Sequence, residues 1–106
     1  MAMTARDREY GERILAILRK ALRRTPCRVY LFGSRAAGTA REGSDFDIAV
    51  QGGRDSCVAL GLAREWLEES TIPFSVDLVD LAAAPQALRD HVQLRGILLW
   101  TNSASA

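Results

Sequence analysis

The chain has 106 residues, 48% apolar and 25% charged, with 14 Lys+Arg against 13 Asp+Glu for a net charge of +1. Those fractions are globular averages, which excludes a disordered or collagen-like chain, and the length predicts one domain with a single core and no second lobe. Near-neutral charge gives no general pull toward nucleic acid or an anionic membrane, so direct nucleic-acid binding is not expected.

In chain order, residues 5–24 read as an amphipathic helix. Tyr10, Ile14, Ile17, Leu18, Ala21 and Leu22 share one arc, while Arg13, Arg19, Lys20, Arg23 and Arg24 share the other. Thr4 is placed to cap its start. Thr25-Pro26 ends it, because a residue before proline is pushed out of the α region. The basic arc reads as a solvated face, since Asp7, Glu9 and Glu12 dilute its charge. Cys27 to Phe32 is rich in β-branched and aromatic residues and predicts a strand. The glycine-rich link from Gly33 to Ser44 predicts a turn, with room for a turn or two of helix. Asp45 to Val50 alternates polar and apolar residues before Gly52-Gly53 breaks the pattern, which predicts a second strand.

Asp55-Ser56 can cap a helix over residues 57–69, with Leu60, Leu62, Ala63, Trp66 and Leu67 gathered on one side and Trp66 read as core. Phe74 to Val79 predicts a third strand. A helix from Pro85 to Arg95 follows, with proline at its favoured first position. Ile97 to Thr101 predicts a last strand, in which Trp100 packs in the core or at an interface. Residues 1–101 form the domain, and Asn102 to Ala106 is expected to fray. Helices interleaved with strands predict a small mixed β-sheet flanked by helices, α/β in content (α+β). The long 57–69 helix allows strands two and three to run parallel, and the shorter link allows strands one and two to run antiparallel.

The N-terminus has no apolar stretch of the secretory kind, and Ile97 to Trp100 is too short to span a bilayer. Cys27 and Cys57 have no second pair with which to build a ligand cluster, and they read as free thiols of a reducing compartment. A cytoplasmic location is expected.

Three features carry chemistry. Gly33-Ser34, at the end of the first strand, lets backbone approach a ligand closely and presents a hydroxyl, which suits a phosphate. Asp45-Phe46-Asp47 opens the second strand, and period two sends both carboxylates to one face and Phe46, Ile48 and Val50 to the other. Side by side, two like charges raise each other's pKa, and a divalent cation relieves the repulsion. Asp77 lies within the apolar run Phe74 to Val79, where a central-strand aspartate is costly unless paired or metal-bound. Asp80 has the opposite parity and reads as a capping residue. His91, alone on its helix, reads as surface or half-buried. In a chain of this composition the pattern Gly-Ser-x10-Asp-x-Asp arises by chance about two times in a thousand.

The stretch from Leu31 to Val50, containing Gly33-Ser34 and Asp45-Phe46-Asp47, resembles the signature of the minimal nucleotidyltransferases, the smallest members of the polymerase-β-like nucleotidyltransferase superfamily. Asp77 in Val76-Asp77-Leu78-Val79 matches that family's third carboxylate. The resemblance covers nearly the whole chain and implies the nucleotidyltransferase fold. It also implies transfer of a nucleoside monophosphate, usually AMP from ATP, to a hydroxyl. On that reading Asp45 and Asp47 hold two Mg²⁺ ions, and Asp77 completes the second site and can take the acceptor's proton. Ser34 and backbone N–H groups near Gly33 hold the leaving pyrophosphate. Arg35 has two open readings, charge neutralisation at the phosphates or pairing with the carboxylates.

The sequence is similar to the antitoxin half of modules that pair a minimal nucleotidyltransferase with a HEPN-domain ribonuclease toxin. In that family the small enzyme adenylylates a tyrosine of its partner and often binds it. Two alternatives stand beside this reading: transfer to a small molecule such as an aminoglycoside, and a non-catalytic antitoxin acting by occlusion. The short chain has no evident acceptor-binding lobe, so the acceptor surface is expected from another chain in a hetero- or homo-oligomer.

Overall fold

The computed structural model describes residues 5–40, 45–53 and 56–103. Thr4 and Asp55, read above as helix caps, and residues 41–44 of the glycine-rich link lie outside the described residues. Helix α1 spans Ala5–Ala21, followed by β1 (Cys27–Phe32), α2 (Gly33–Ala37) and β2 (Phe46–Gly52). Then come α3 (Ser56–Glu69), β3 (Val76–Asp80), a 3-10 turn (Leu81–Ala83), α4 (Gln86–Arg95) and β4 (Ile97–Asn102).

The strands form one mixed sheet in the order β3-β2-β1-β4. β1 is antiparallel to β2 and to β4, and β2 runs parallel to β3. The helices in the links explain this pattern, because the 14-residue α3 can carry a parallel crossover from β2 to β3, whereas the five-residue α2 turns the chain back for the antiparallel pair β1–β2.

Strand parity sorts the side chains onto two faces. Phe46, Ile48 and Val50 of β2 and Val29 and Leu31 of β1 join Ile14, Leu15, Leu18 and Leu22, near or at the C-terminal half of α1, and Leu60, Ala63 and Leu67 of α3 in the main core. Burying each large apolar side chain there contributes about 1.5–3 kcal/mol. The other face carries a smaller cluster of Tyr30, Phe32, Ala49, Leu81 and Val92, the last contributed by α4.

Several local expectations are corrected. α1 ends at Ala21 rather than residue 24, and its chain leaves through a turn in which Thr25 N–H donates to Leu22 O at 2.9 Å ahead of Pro26. β3 begins at Val76, two residues later than expected. Phe74 turns inward instead, meeting Tyr10 edge-on at 4.9 Å between ring centroids and Phe46 at 5.7 Å. Pro85 stands at the N-cap rather than the first helical position, and its carbonyl accepts from Leu88 N–H and Arg89 N–H, both at 3.1 Å. Trp66 is only half-buried, because α3 turns Leu60, Ala63 and Leu67 inward.

Asn102, assigned above to a fraying tail, is the last residue of β4. Its side-chain amide donates to the carbonyls of Leu22 at 2.8 Å, Thr25 at 3.0 Å and Arg23 at 3.1 Å. These carbonyls follow α1, where helical partners run out, so the amide satisfies acceptors that the helix leaves open. Cys27 and Cys57 are both free, and burial pushes the Cys27 thiol up from its ordinary value. No described helix is long and apolar enough to cross a membrane.

Candidate active site

The site is built on the end of the sheet where β1 stops and β2 and β3 start. Phe32, Asp47 and Asp77 lie in one row, since Phe32 pairs with Asp47 across β1 and β2 and Asp47 pairs with Asp77 across β2 and β3. Neighbouring strands are about 4.8 Å apart, so two carboxylates start from adjacent backbone positions on one face. Asp45 is exposed just before β2 and shares the parity of Asp47, as the alternation of the sequence predicts.

Asp77 reaches this row by a different route from the one its sequence context suggests. β3 is an edge strand and Asp77 is exposed, so the burial cost of a central-strand aspartate does not arise. What remains is like-charge repulsion across the pair, which disfavours two ionised groups in register. Asp47 registers that environment. Its carboxyl is held above the ordinary aspartate range, first by partial burial and then by the nearby charges of Asp77 and Asp45. Asp80, by contrast, caps the 3-10 turn, accepting from Ala82 N–H at 3.0 Å.

Gly33 closes the other side of Asp47. Its φ of +76° is left-handed, and a Cβ built on it would run into the Asp47 carboxylate, with Cγ at 3.1 Å and Cβ at 3.3 Å. Both the backbone angle and the space therefore require glycine. Ser34 follows in the first turn of α2, half-buried, and its carbonyl accepts from Thr39 N–H at 2.9 Å in the turn that ends the helix. Gly33 and Ser34 thus lie beside the carboxylate row.

Arg35 is placed differently. It is 5% exposed, and its guanidinium lies 4.2 Å from the centroid of Phe46 and 4.6 Å from that of Phe74. Those ring contacts pin α2 to the main core, and a desolvated cation–π contact contributes about 2 kcal/mol. Arg35 lines neither of the two cavities that flank the carboxylates.

Those cavities lie on opposite sides of Asp47. One, of about 480 Å³, runs along β3 and α3 and includes Asp77, Phe74 and Arg64 in its lining. The other, of about 760 Å³, has Gly33, Ser34 and Thr39 on one wall and His91 and Arg95 on the other. His91 and Arg95 were not marked as functional by sequence reasoning. Their spacing of four on a helix puts them on one face, but nothing in a single sequence says which sheet face α4 covers.

Among the described residues, no group of three or more His, Cys, Asp or Glu converges into a ready metal cage. The donor chemistry nevertheless fits Mg²⁺. That ion takes only one or two protein carboxylates and completes its shell with water and substrate phosphates, and the Asp47–Asp77 pair supplies hard oxygen donors whose repulsion a cation relieves.

Residues 12–105 match the family described as Polymerase beta, Nucleotidyltransferase. A Haemophilus influenzae protein named "Probable protein adenylyltransferase MntA" is 33% identical over 66 residues, which cover 61% of this chain and 58% of that relative. The chain therefore spans little more than half the length of that relative. Among solved structures, a chain of a toxin–antitoxin complex with AMP-PNP is 33% identical at a TM-score of 0.70, with 87% of this chain and 73% of that chain covered. A chain from the complex of tri-AMPylated Shewanella oneidensis HEPN toxin with MNT antitoxin is 29% identical at a TM-score of 0.65, with 90% and 72% covered.

Proposed function

The chain belongs to the polymerase beta nucleotidyltransferase family, and from that premise we propose that it is an adenylyltransferase that moves AMP from ATP to a tyrosine hydroxyl of a HEPN-domain toxin and so acts as the toxin's antitoxin. The observation that carries the chemistry is the in-register pair Asp47 and Asp77, with Gly33 stripped of a side chain against Asp47. Kinship with chains from complexes of AMPylated toxin and antitoxin supports the acceptor and the partner. Two free thiols agree with work in the reducing cytoplasm.

The reaction is an in-line displacement. The acceptor oxygen forms a bond to the α-phosphorus, the bond from that phosphorus to the β-phosphate bridge breaks, and pyrophosphate leaves with the electron pair. Asp77 faces solvent on the edge strand, where a hydroxyl from another chain can reach it, and it takes the hydroxyl proton. Ser34 donates its hydroxyl hydrogen to the departing phosphates, and Gly33 lets the nucleotide approach the backbone. Asp45, Asp47 and Asp77 would hold Mg²⁺, which supplies positive charge to the phosphate oxygens.

The test is incubation of the purified chain with a HEPN-domain partner, Mg²⁺ and ATP labelled at the α-phosphate. Label should appear on a partner tyrosine, and Asp45→Ala with Asp47→Ala should lower transfer at least about a hundredfold while the thermal melt stays cooperative. An unlabelled partner whose toxicity is still suppressed would overturn transfer in favour of occlusion.

A further inference from the structure

The carboxylate row accounts for one end of a nucleotide but leaves the opposite wall of the larger cavity unexplained. That wall belongs to α4. Val92 is fully buried in the small cluster with Tyr30, Phe32 and Ala49, which seats the helix on the face that Asp47 shares. One residue earlier, the His91 ring meets Phe32 edge-on with centroids 6.5 Å apart. Phe32 is the register partner of Asp47 and the residue before Gly33, so α4 is tied directly to the site. Arg95 follows His91 by four residues, and both line the cavity opposite Ser34 and Thr39.

Three properties of that cavity select its ligand. Its volume, about 760 Å³, is within the range of nucleotide-sized pockets. None of its lining residues is acidic, although the carboxylate row lies just across Gly33. Its polar side chains include an arginine, an imidazole and the Ser34 hydroxyl, which can donate hydrogen bonds to an anion, while the Thr39 hydroxyl donates to Ser34 O at 3.5 Å. Arginine's planar fork matches phosphate oxygens better than any other side chain. Arg95 also stands in the last turn of α4, where its charge offsets the negative end of the helix dipole that would otherwise repel an anion.

We propose that α4 forms the outer wall of the triphosphate site and that Arg95 binds the β- and γ-phosphates of the nucleoside triphosphate, with His91 beside it. This rests on the reading of the carboxylate row as the place of the α-phosphate. The nucleotide then spans Gly33, with its reacting phosphorus at Asp47 and its leaving group in the cavity. Arg95 therefore discriminates triphosphate from monophosphate and stabilises the charge that accumulates on pyrophosphate as it departs.

The experiment compares ATP and AMP binding by calorimetric titration of the full chain in Mg²⁺, for the wild type, Arg95→Gln, Arg95→Lys and Arg89→Gln. Arg89 is the control, because it is on the same helix but lines a different cavity beside Leu81 and Gly52. Arg95→Gln should weaken ATP binding by about tenfold or more and leave AMP binding unchanged, as expected for loss of charge-assisted hydrogen bonds to terminal phosphates. Arg95→Lys should recover part of the loss, and Arg89→Gln should match the wild type. In transfer assays, Arg95→Gln should raise the KM for ATP more than it lowers kcat.

Equal ATP binding by Arg95→Gln and the wild type would overturn the proposal. So would an equal loss for ATP and AMP, or a loss in Arg89→Gln as large as in Arg95→Gln, which would point to net charge alone. Failure of the wild type to label any partner, with the Arg95-dependent preference for ATP intact, would instead sink the transfer reading and support the phosphate site.

Discussion

Phe46 and Asp47 are neighbours on β2, yet they face opposite demands. Phe46, with Ile48 and Val50, is fully buried in the main core. Asp47 is half-exposed on the other face, beside Asp77 and under Gly33, with its carboxyl above the ordinary range. One face of the sheet gathers the main core, and the other sets the smaller cluster of Tyr30, Phe32, Ala49, Leu81 and Val92 beside like charges that oppose folding. The strand's period of two lets six or seven residues serve both needs without compromise. The lesson is that this site is carried by its scaffold and does not help to hold it.

Substitutions on the two faces should therefore act with different sizes and opposite signs. Phe46→Ala should be the most damaging, destabilising by about 3–5 kcal/mol from the cavity it leaves and from the loss of the ring under Arg35. A denaturant melt of the variant checks this. Gly33→Ala comes next, destabilising by about 1–3 kcal/mol because alanine must hold a left-handed backbone and displace Asp47. AMP transfer by Gly33→Ala should fall far more than its stability, and a comparison of the melt with the transfer rate separates the two. A variant that transferred AMP normally would break the link drawn between Gly33 and the carboxylate.

Asp47→Asn gives the smallest effect and the reverse sign. A carboxyl whose pKa is raised by folding binds its proton more tightly in the native state, so the native state loses stability as pH rises through the raised value. Below the ordinary aspartate range, wild type and variant should melt alike. Above the raised value, in the presence of a chelator, Asp47→Asn should melt higher than the wild type while transferring no AMP. A variant that melted lower at neutral pH would show that Asp47 contributes to the scaffold after all.

Much of this was legible in the chain. The alternation around Phe46 placed Asp45 and Asp47 together, and Gly33-Ser34 at a strand end placed the turn that lies against Asp47. The α3 crossover announced the parallel pairing of β2 and β3. Other features depend on distances that one sequence does not encode. Asp77 looked buried because its neighbours in sequence are apolar, whereas β3 is an edge strand and turns only Leu78 fully inward. Sequence leaves Arg35 open between the phosphates and the carboxylates, and its stacking on two aromatic rings from separate segments could not be read from its neighbours in the chain. His91 and Arg95 gain meaning only from the face on which Val92 docks.

Asn102 carries a consequence for how the protein is made. Its amide joins carbonyls that precede it by as many as 80 residues, so the first helix waits for the last strand to secure its end. During synthesis α1, β1 and β2 can emerge and collapse, but the sheet lacks its β4 edge and α1 its clasp until residue 102 has cleared the ribosome. Contacts of such long range slow folding. A chain cut short before Asn102 would therefore present α1 to the cell with a loose end.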